Sequence, residues 1–375
     1  MIAEGPAIPA FLARLDEASA AAAAAEYPQL LERLRKDAPD AAAVTIADFW
    51  YVLGALKREQ YDVDAQEVRG YFSFDRVLPG VLETTGRLLD VRYVPADVAT
   101  WHDDVQSYDV LRGDDVLGRI HLDLHPREGK FNHAACFGLA PGVIGRVLPE
   151  AVLLCNFARG LLTHDEVVTF FHEFGHLVHD ILGGAQHWAR FTGVATEWDF
   201  VEAPSQLLEE WAWDPAVLAT FTANADGDPI PAELVERMRT ADAFGRALEV
   251  RRQLGHARVS YHLHVDRPTD LQAETERIYA TSSPIQPLRG LHPYAGFGHL
   301  TGYGSCYYTY QWSLVIARDL LSAFGDDVMD PAVAARYREE ILEPGGSRDA
   351  SDLVEAFLGR PYSFDAYREW LTPGA

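Results

Sequence analysis

The sequence predicts a mainly helical protein that contains one small mixed β-sheet. Apolar residues recur at three- and four-residue spacings over several long segments, which is the period of an amphipathic helix. Between residues 88 and 157 the pattern changes to short runs of β-branched and apolar residues, which are typical of strands. The most informative helix follows directly, over residues 163–184, and carries the pattern H-E-F-G-H at residues 172–176.

Three helices are predicted before the sheet, at residues 9–37, 45–57 and 75–89. The first contains an alanine-rich run, and alanine is the strongest helix former. Thr45 and Asp48 have the spacing of a capping box, so the second helix is expected to begin beside Thr45. The chain is therefore expected to start as a helical region.

Five short segments make up the predicted sheet. The four residues R-G-D-D at 112–115 favour a tight turn, which makes the second and third segments a β-hairpin. The five segments lie at residues 88–94, 105–111, 116–124, 134–139 and 151–157.

The flanks of the H-E-F-G-H pattern indicate that it lies on a helix. Thr163 and Glu166 have the spacing of a second capping box, and the two glycines at 183–184 are a strong helix stop. On a helix, His172 and His176 are four residues apart and project from one face. Both imidazoles can therefore bind one metal ion.

Glu173 places a carboxylate beside this metal, within reach of a metal-bound water. A catalytic zinc ion usually has three protein ligands. A third histidine from an H-E-x-x-H-x-x-G-x-x-H pattern is excluded, because His179 and Leu182 occupy the positions of its glycine and last histidine. A glutamate on the next helix is the simplest third ligand, and Glu202 is the first choice. The competing candidates are Glu197, Glu209 and Glu210.

Two other polar residues lie near these candidates. His179 is expected at the rim of its helix, as an ordinary polar residue rather than as a hydrogen-bond partner of a ligand. Asp199 is expected either to orient a ligand histidine, as carboxylates around metal sites do, or to cap the helix that follows.

The remaining chain is predicted to be largely helical. Pro204 suits the first turn of a helix. Further helices are expected at residues 231–264, 269–279 and 305–324, with shorter helices to the end. Residues 283–304 are rich in proline and glycine and are expected to form a loop.

The end of this loop, residues 296–304, is dense in glycine and carries His299 and Tyr303, with Tyr307, Tyr308 and Tyr310 following. Zinc-dependent hydrolysis of an amide creates an oxyanion that the metal stabilises only in part. A tyrosine or histidine donor can supply the rest. A glycine-rich phosphate loop is the competing interpretation, but it lacks the preceding strand–helix–strand unit.

The composition excludes several classes of partner. Among 375 residues, 56 are acidic and 32 are basic, and the net charge of −24 repels nucleic acids and anionic lipids. No apolar run reaches about 18 residues, the length of a membrane span. Residues 1–30 lack the basic start and apolar core of a signal peptide. Three cysteines without a C-x-x-C pair favour a reducing cytoplasm.

Four segments together resemble one family. They are L-D-L-H-P-R-E-G-K at 122–130 with H-A-A at 133–135, T-F-F-H-E-F-G-H-L-V-H at 169–179, D-F-V-E-A-P-S-Q at 199–206 and F-G-H-L-T-G-Y-G-S-C-Y-Y-T-Y-Q-W-S at 297–313. They closely resemble the thimet-oligopeptidase-like zinc metallopeptidases, which include oligopeptidase A, oligopeptidase F, neurolysin and the bacterial peptidyl-dipeptidases. The resemblance starts near Asp48 and corresponds to the family's catalytic half without its large N-terminal helical region.

The resemblance implies a zincin-like (gluzincin) domain with one zinc ion per chain. It implies that the zinc is held by His172, His176 and Glu202, with Glu173 as general base. His299, Tyr303 and Tyr310 match positions that contact substrate or stabilise the oxyanion, and Tyr310 is the best match to the tyrosine that faces the tetrahedral intermediate. In zinc peptidases such a small sheet often presents an edge strand to which an extended peptide adds, and the alternative is a purely structural sheet.

Three regions are expected within one compact catalytic unit. Residues 1–85 are a helical remnant of the N-terminal part, 86–215 the zincin core, and 216–375 a helical subdomain with the Gly/Tyr loop. The expected function is a cytoplasmic, zinc-dependent oligopeptidase that cleaves internal bonds of short peptides. Two rival functions stay open. One is an inactive or partner-dependent peptide-binding half, which would need a separate N-terminal chain or a homo-oligomer, and the other is a zinc amidohydrolase acting on non-peptide amides.

Overall fold

The computed structural model describes residues 1–2, 5–288 and 290–372. Over these residues the protein is mainly helical with one small mixed sheet, which confirms that prediction. The strands are β1 (Arg92–Pro95), β2 (Gln106–Arg112), β3 (Asp115–Asp123), β4 (Ala135–Ala140) and β5 (Glu150–Leu154). The helices are α1 (Ala7–Asp37), α2 (Ile46–Tyr61), α3 (Ala65–Arg69), α4 (Phe74–Leu89), α5 (His164–Leu182), α6 (Ala203–Leu208), α7 (Pro215–Phe221), α8 (Ala232–Ala243), α9 (Arg246–Val265), α10 (Leu271–Ser282), α11 (Pro293–Gly296), α12 (His299–Gly302), α13 (Thr309–Ser322), α14 (Pro331–Tyr337), α15 (Ala350–Leu358) and α16 (Asp365–Leu371).

The chain folds into two compact units. The sheet unit contains the five strands with α3–α7, α14, α15 and most of α13, and the helical unit contains α1, α2, α9–α12, α16 and most of α8. The sheet unit comprises Met1, Ala65–Val235 and Ser313–Phe364, and the helical unit comprises Ile2–Asp64, Glu236–Trp312 and Asp365–Ala375. The three regions expected from the sequence stay a prediction.

The sheet has the strand order β1-β2-β3-β5-β4. β3 and β5 are parallel and the other pairs are antiparallel, so the sheet is mixed. The predicted hairpin turn joins β2 to β3, with Gly113 at φ +59°, a conformation that glycine adopts without strain. β4 has one paired neighbour and forms an edge of the sheet.

A buried ionic cluster holds the end of β3. Asp123 accepts two hydrogen bonds from the Arg127 guanidinium, at 2.6 and 2.7 Å, and one from the Trp101 indole at 2.9 Å. Lys130 lies 2.9 Å from the same carboxylate and donates to the backbone carbonyls of Asp123, His125 and Cys155. This cluster explains the L-D-L-H-P-R-E-G-K segment as a structural feature that ties the strand ends together.

The core of the sheet unit lies between the sheet and α5. α5 contacts β3, β4 and β5, and its apolar face is fully buried. Phe174 packs edge-on against Tyr93, with ring centroids 5.6 Å apart, and Phe170 packs against Phe157 at 5.2 Å. The opposite face of α5 is therefore the one that carries its polar residues.

The helical unit contains one break that the sequence analysis did not predict. The expected single helix at residues 231–264 is wrong, because α8 ends at Ala243 and α9 begins at Arg246. Gly245 between them has φ +86°, and a β-carbon there would lie 2.6 Å from the Leu53 side chain. The break therefore requires glycine.

Other boundaries differ less from prediction. The capping box of Thr45 and Asp48 is present at the start of α2. The expected loop at 283–304 contains the short helices α11 and α12, and the helix expected from residue 305 begins at Thr309. Among the helices described, none has the length and apolar character needed to cross a membrane.

Candidate metal centre

α5 presents the two histidines of the H-E-F-G-H pattern. The predicted capping box is present, since Glu166 N–H donates to Thr163 Oγ1 at 3.2 Å and Thr163 N–H donates to Glu166 Oε2 at 2.7 Å. This cap fixes the start of the helix and hence the direction in which residues 172 and 176 project. His172 and His176 stand side by side on its polar face, with ring centroids 5.0 Å apart.

A glycine in the middle of the pattern brings α6 close to α5. A β-carbon at Gly175 would lie 2.6 Å from the Cα of Ser205, which is closer than non-bonded carbons approach. Pro204 occupies the first turn of α6, where its missing N–H is not needed. Glu202 immediately precedes α6, so this close packing holds its carboxylate against the histidines.

Three ligand atoms converge at this point. Oε2 of Glu202 lies 3.0 Å from Nε2 of His176 and 3.3 Å from Nε2 of His172. Among the described residues these three side chains form a group whose ligand atoms all lie within 4.8 Å of one another. Glu202 is buried and the histidines are half-buried. Two imidazoles and a carboxylate suit a zinc ion.

The electrostatics keep the carboxylate ionised. Burial alone would raise the pKa of Glu202, but the adjacent His176 and His172 hold it well below its usual range. Burial would likewise lower the pKa of His172, but Glu202 and Glu209 raise it well above its usual value. The ionised carboxylate is the form that binds a metal ion.

The three competing glutamates contact other groups and do not join the ligand atoms of His172, His176 and Glu202. Glu209 lies closest, and its Oε1 is 2.7 Å from Nδ1 of His172. This contact fixes the ring so that Nε2 faces Glu202. Glu197 accepts a hydrogen bond from the Ala350 amide, and Glu210 pairs with Arg318 at 2.7 Å.

Glu173 projects beside the two histidines toward the sheet. Burial raises the pKa of its carboxyl group, and the two histidines oppose this effect. A hydrogen bond with the backbone of Cys136, on edge strand β4, also lowers its pKa. Glu173 therefore lies between the histidine pair and the edge of the sheet.

His179 lies in the core and not at the helix rim, so that expectation is wrong. The side chain is fully buried, and burial lowers the pKa of His179 to about 3. Residue 179 lies three residues beyond His176 and seven beyond His172, so it shares their face of α5. That face is buried one turn further along the helix, where Gly175 and Leu182 are also buried. Asp199 is buried too, and α6 begins four residues beyond it with Glu202 at its cap position.

The three predicted residues of the glycine-rich loop come together within the helical unit. His299 Nε2 lies 3.1 Å from the Tyr310 hydroxyl. The rings of Tyr303 and Tyr310 are stacked, with centroids 6.0 Å apart, and His299 contacts Tyr303 edge-on at 5.8 Å. The short helix α12 turns His299 and Tyr303 toward the start of α13, which carries Tyr310.

A family model described as Peptidase family M3 matches residues 5–372. The chain belongs to this family. The resemblance found in the sequence motifs is therefore confirmed. Similar curated proteins include the thimet-like oligopeptidase of Dictyostelium discoideum, which is 37% identical over 325 residues, or 80% of this chain and 48% of the relative.

A second similar protein is oligopeptidase A of Escherichia coli strain K12. It is 33% identical over 344 residues, which are 86% of this chain and 50% of the relative. The chain therefore spans about half the length of these curated relatives. Among solved structures, the one described as PZ peptidase A with inhibitor 2 aligns with a TM-score of 0.60 over 99% of this chain and 57% of that chain. At 13% identity, this likeness is one of fold.

Proposed function

We propose that this M3 chain is a zinc-dependent oligopeptidase that cleaves internal bonds of short peptides. The observation that carries the proposal is the convergence of His172 Nε2, His176 Nε2 and Glu202 Oε2 at one point. These three residues would hold one zinc ion per chain. When bound, the zinc would supply Lewis acidity, which polarises a carbonyl group and lowers the pKa of water.

Glu173 is the proposed general base. Its carboxylate takes a proton from the attacking water and delivers it to the amine that leaves. Its position next to His172 on α5, which places its carboxylate beside the histidine pair, supports this role. The contact with Cys136 ties this base to edge strand β4.

Edge strand β4 is the proposed binding site for the substrate backbone. An extended peptide can add to a strand edge through main-chain hydrogen bonds, which recognise the chain and not its side chains. Phe137 and Leu139 on β4 are exposed and offer apolar contacts. This mode suits an enzyme that accepts varied short peptides, and the names of the relatives as oligopeptidases support it.

Tyr310, with Tyr303 and His299, is the proposed donor group for the oxyanion. The 3.1 Å contact between His299 and the Tyr310 hydroxyl supports a shared role, because the imidazole can orient that hydroxyl.

Residues 86–215 are the proposed zincin-like core, 216–375 the helical subdomain and 1–85 the helical remnant. Cys136, Cys155 and Cys306 all lie in described segments and form no disulfide, which supports the proposed cytoplasmic location.

Cleavage of a mixed peptide library by the purified chain tests this proposal, with and without a zinc chelator and with mass-spectrometric detection. We expect internal cuts in short peptides that stop when the metal is removed and return when zinc is restored. The absence of cuts at one bound zinc per chain would contradict it. That result would favour the second candidate, a peptide-binding half that needs a partner chain, which the half-length match to the relatives supports.

A further inference from the structure

A cavity in the helical unit has no part in the proposed chemistry. Its volume is about 150 Å³, and it lies among α2, α9, α10 and the segment that follows α10. Apolar atoms form most of the surface that faces the cavity. The lining residues include the apolar Ile46, Ile285 and Leu291 and the polar Arg252, His256 and Tyr279.

The wall of this cavity is fixed on both sides by hydrogen bonds. Gln286 N–H donates to the Val44 carbonyl at 2.9 Å, and Ile46 N–H donates to the Gln286 carbonyl at 3.0 Å. On the other side, Gln272 on α10 donates to the Leu291 carbonyl at 2.8 Å. The cavity is therefore a preformed feature of the fold.

A chain of four polar side chains crosses the wall. The Arg252 guanidinium donates two hydrogen bonds to Glu249, at 2.8 and 2.5 Å, so its charge is neutralised within the protein. Its Nη1 lies 2.9 Å from Nε2 of His256, and Nδ1 of His256 lies 2.7 Å from the Tyr279 hydroxyl.

The direction of these hydrogen bonds follows from their chemistry. Burial, together with Arg252 and His299, lowers the pKa of His256 to about 4, so the ring is neutral at pH 7. A guanidinium only donates, so Nε2 of His256 accepts and Nδ1 carries the proton. Nδ1–H then donates to the Tyr279 oxygen. The hydroxyl hydrogen of Tyr279 remains available to donate to another group.

The Tyr279 ring is also held in place. A β-carbon at Gly255 on α9 would lie 2.9 Å from the Tyr279 ring, so the absence of a side chain there lets the ring pack against the helix. The hydroxyl is therefore positioned by α9 through Gly255 and His256. A fixed donor in a mostly apolar wall is a typical specificity element of a small-ligand site.

We propose that this cavity binds a neutral, ring-sized apolar group that carries one hydrogen-bond acceptor, with Tyr279 as the donor. The volume is that of a cavity known to take up benzene. Glu276, which also lines the cavity, disfavours anions, and the pairing of Arg252 with Glu249 removes a free cation that would attract them. The inference does not depend on the proposed peptidase activity.

Titration of the full chain with phenol, followed by NMR, tests this inference. We expect saturable binding with a Kd of about 1 mM, which suits a ligand of this size. Tyr279→Phe should weaken phenol binding about fivefold, the loss of one neutral hydrogen bond, and leave benzene binding unchanged. Tyr261→Phe, on α9 but outside the cavity wall, is the matched control and should bind phenol like the wild type.

A second variant keeps the test valid if Tyr279→Phe disturbs the local fold. Leu291 is half-exposed at the rim, so Leu291→Trp can be tolerated by the fold while its ring obstructs the cavity, and we expect it to weaken both phenol and benzene binding. Inhibition of peptide cleavage by phenol would identify the ligand as a substrate side chain, and unchanged cleavage would identify it as a free small molecule. No saturable phenol binding, or equal binding by wild type and Tyr279→Phe, would overturn the inference.

Discussion

Two buried carboxylates in the sheet unit have very different partners. Asp123 is fully buried and is met by Arg127, Lys130 and the Trp101 indole. Arginine and lysine carry a permanent positive charge at neutral pH, so this cluster is complete within the protein. Glu202 is buried nearly as deeply, but it faces two imidazoles.

An imidazole, unlike a guanidinium or an ammonium group, can release its proton when a metal ion binds, so the positive charge beside Glu202 is not permanent. His172 and His176 can instead share a cation with Glu202 through lone pairs on Nε2. The comparison teaches how to distinguish two kinds of buried anion. Permanent cations around a carboxylate indicate a structural cluster, and imidazoles indicate a metal site.

The largest effect is expected from a substitution that disrupts the proposed metal site alone. Glu202→Gln keeps the size of the side chain but removes the charge, and we expect zinc affinity to fall by more than about 100-fold. The loss should exceed the roughly 10- to 100-fold that residues supporting a ligand contribute. Competition with a chromophoric zinc chelator measures it. Unchanged affinity would mean that another carboxylate is the third ligand.

The converse substitution breaks the structural cluster alone. Asp123→Asn leaves Lys130 buried without its carboxylate, and we expect the free energy of unfolding at pH 7 to fall by about 3–5 kcal/mol. Zinc affinity of the folded protein should stay unchanged. Asp109→Asn is the control, because its pair with Arg119 is partly exposed and contributes about 0–1 kcal/mol.

The free energy of unfolding that Asp123→Asn loses depends on pH in a defined direction. Burial raises the pKa of Asp123, but hydrogen bonds from Arg127, Trp101 and Lys130 outweigh it and hold the pKa well below its usual range. The stabilisation is therefore complete above the ordinary aspartate pKa of about 3.9 and is lost as the pH falls through the lower folded value. Denaturant unfolding at pH 7 and pH 3 should show a smaller difference between wild type and Asp123→Asn at pH 3. An equal difference at both values would contradict the pairing.

A smaller effect on stability and zinc binding is expected from a substitution at Gly175, where α5 and α6 approach each other closely. Gly175→Ala forces a β-carbon against the Ser205 backbone, and we expect it to reduce stability by about 1–3 kcal/mol and to weaken zinc binding. Gly54→Ala is the matched control, since nothing lies near its β-carbon and helix propensity should stabilise it by about 1 kcal/mol. Thermal unfolding with a zinc titration distinguishes the two variants. A Gly175→Ala protein as stable as Gly54→Ala would rule out the close approach.

The smallest effect is expected for Glu209, the carboxylate that contacts the outer nitrogen of His172. Glu209→Gln keeps a hydrogen bond to Nδ1 of His172 but removes its charge, and we expect zinc affinity to fall about tenfold. Isothermal titration with zinc measures it, with Glu249→Gln in the helical unit as a control for the loss of a charge. A loss as large as that of Glu202→Gln would make Glu209 a direct ligand.

The sequence predicted the features that depend on local spacing. The histidine pair of α5, its capping box at Thr163 and the hairpin turn at Gly113 each follow from a few neighbouring residues. Glu202 was the first choice among four glutamates, but local spacing did not single it out. What brings it to the histidines is the contact between Gly175 and Ser205, which are 30 residues apart in the chain.

Features that depend on tertiary contacts were missed or misjudged. The position of Glu209 on the outer nitrogen of His172 and the burial of His179 follow from helix packing, which local patterns indicate only weakly. The break at Gly245 had a signal, a glycine within a helical pattern, but its positive φ depends on the contact with Leu53. The glycine of the H-E-F-G-H pattern was likewise a signal of close packing.

The most direct test of the central claim combines zinc content with peptide cleavage for Glu173→Gln. Glu173 is not one of the three converging ligands, so the variant should bind one zinc per chain like the wild type. It should lose cleavage by a factor of about 100 or more, because the remaining amide cannot accept the proton of the attacking water. Cleavage at close to the wild-type rate, with zinc bound, would contradict the assignment of the base and with it the proposed mechanism.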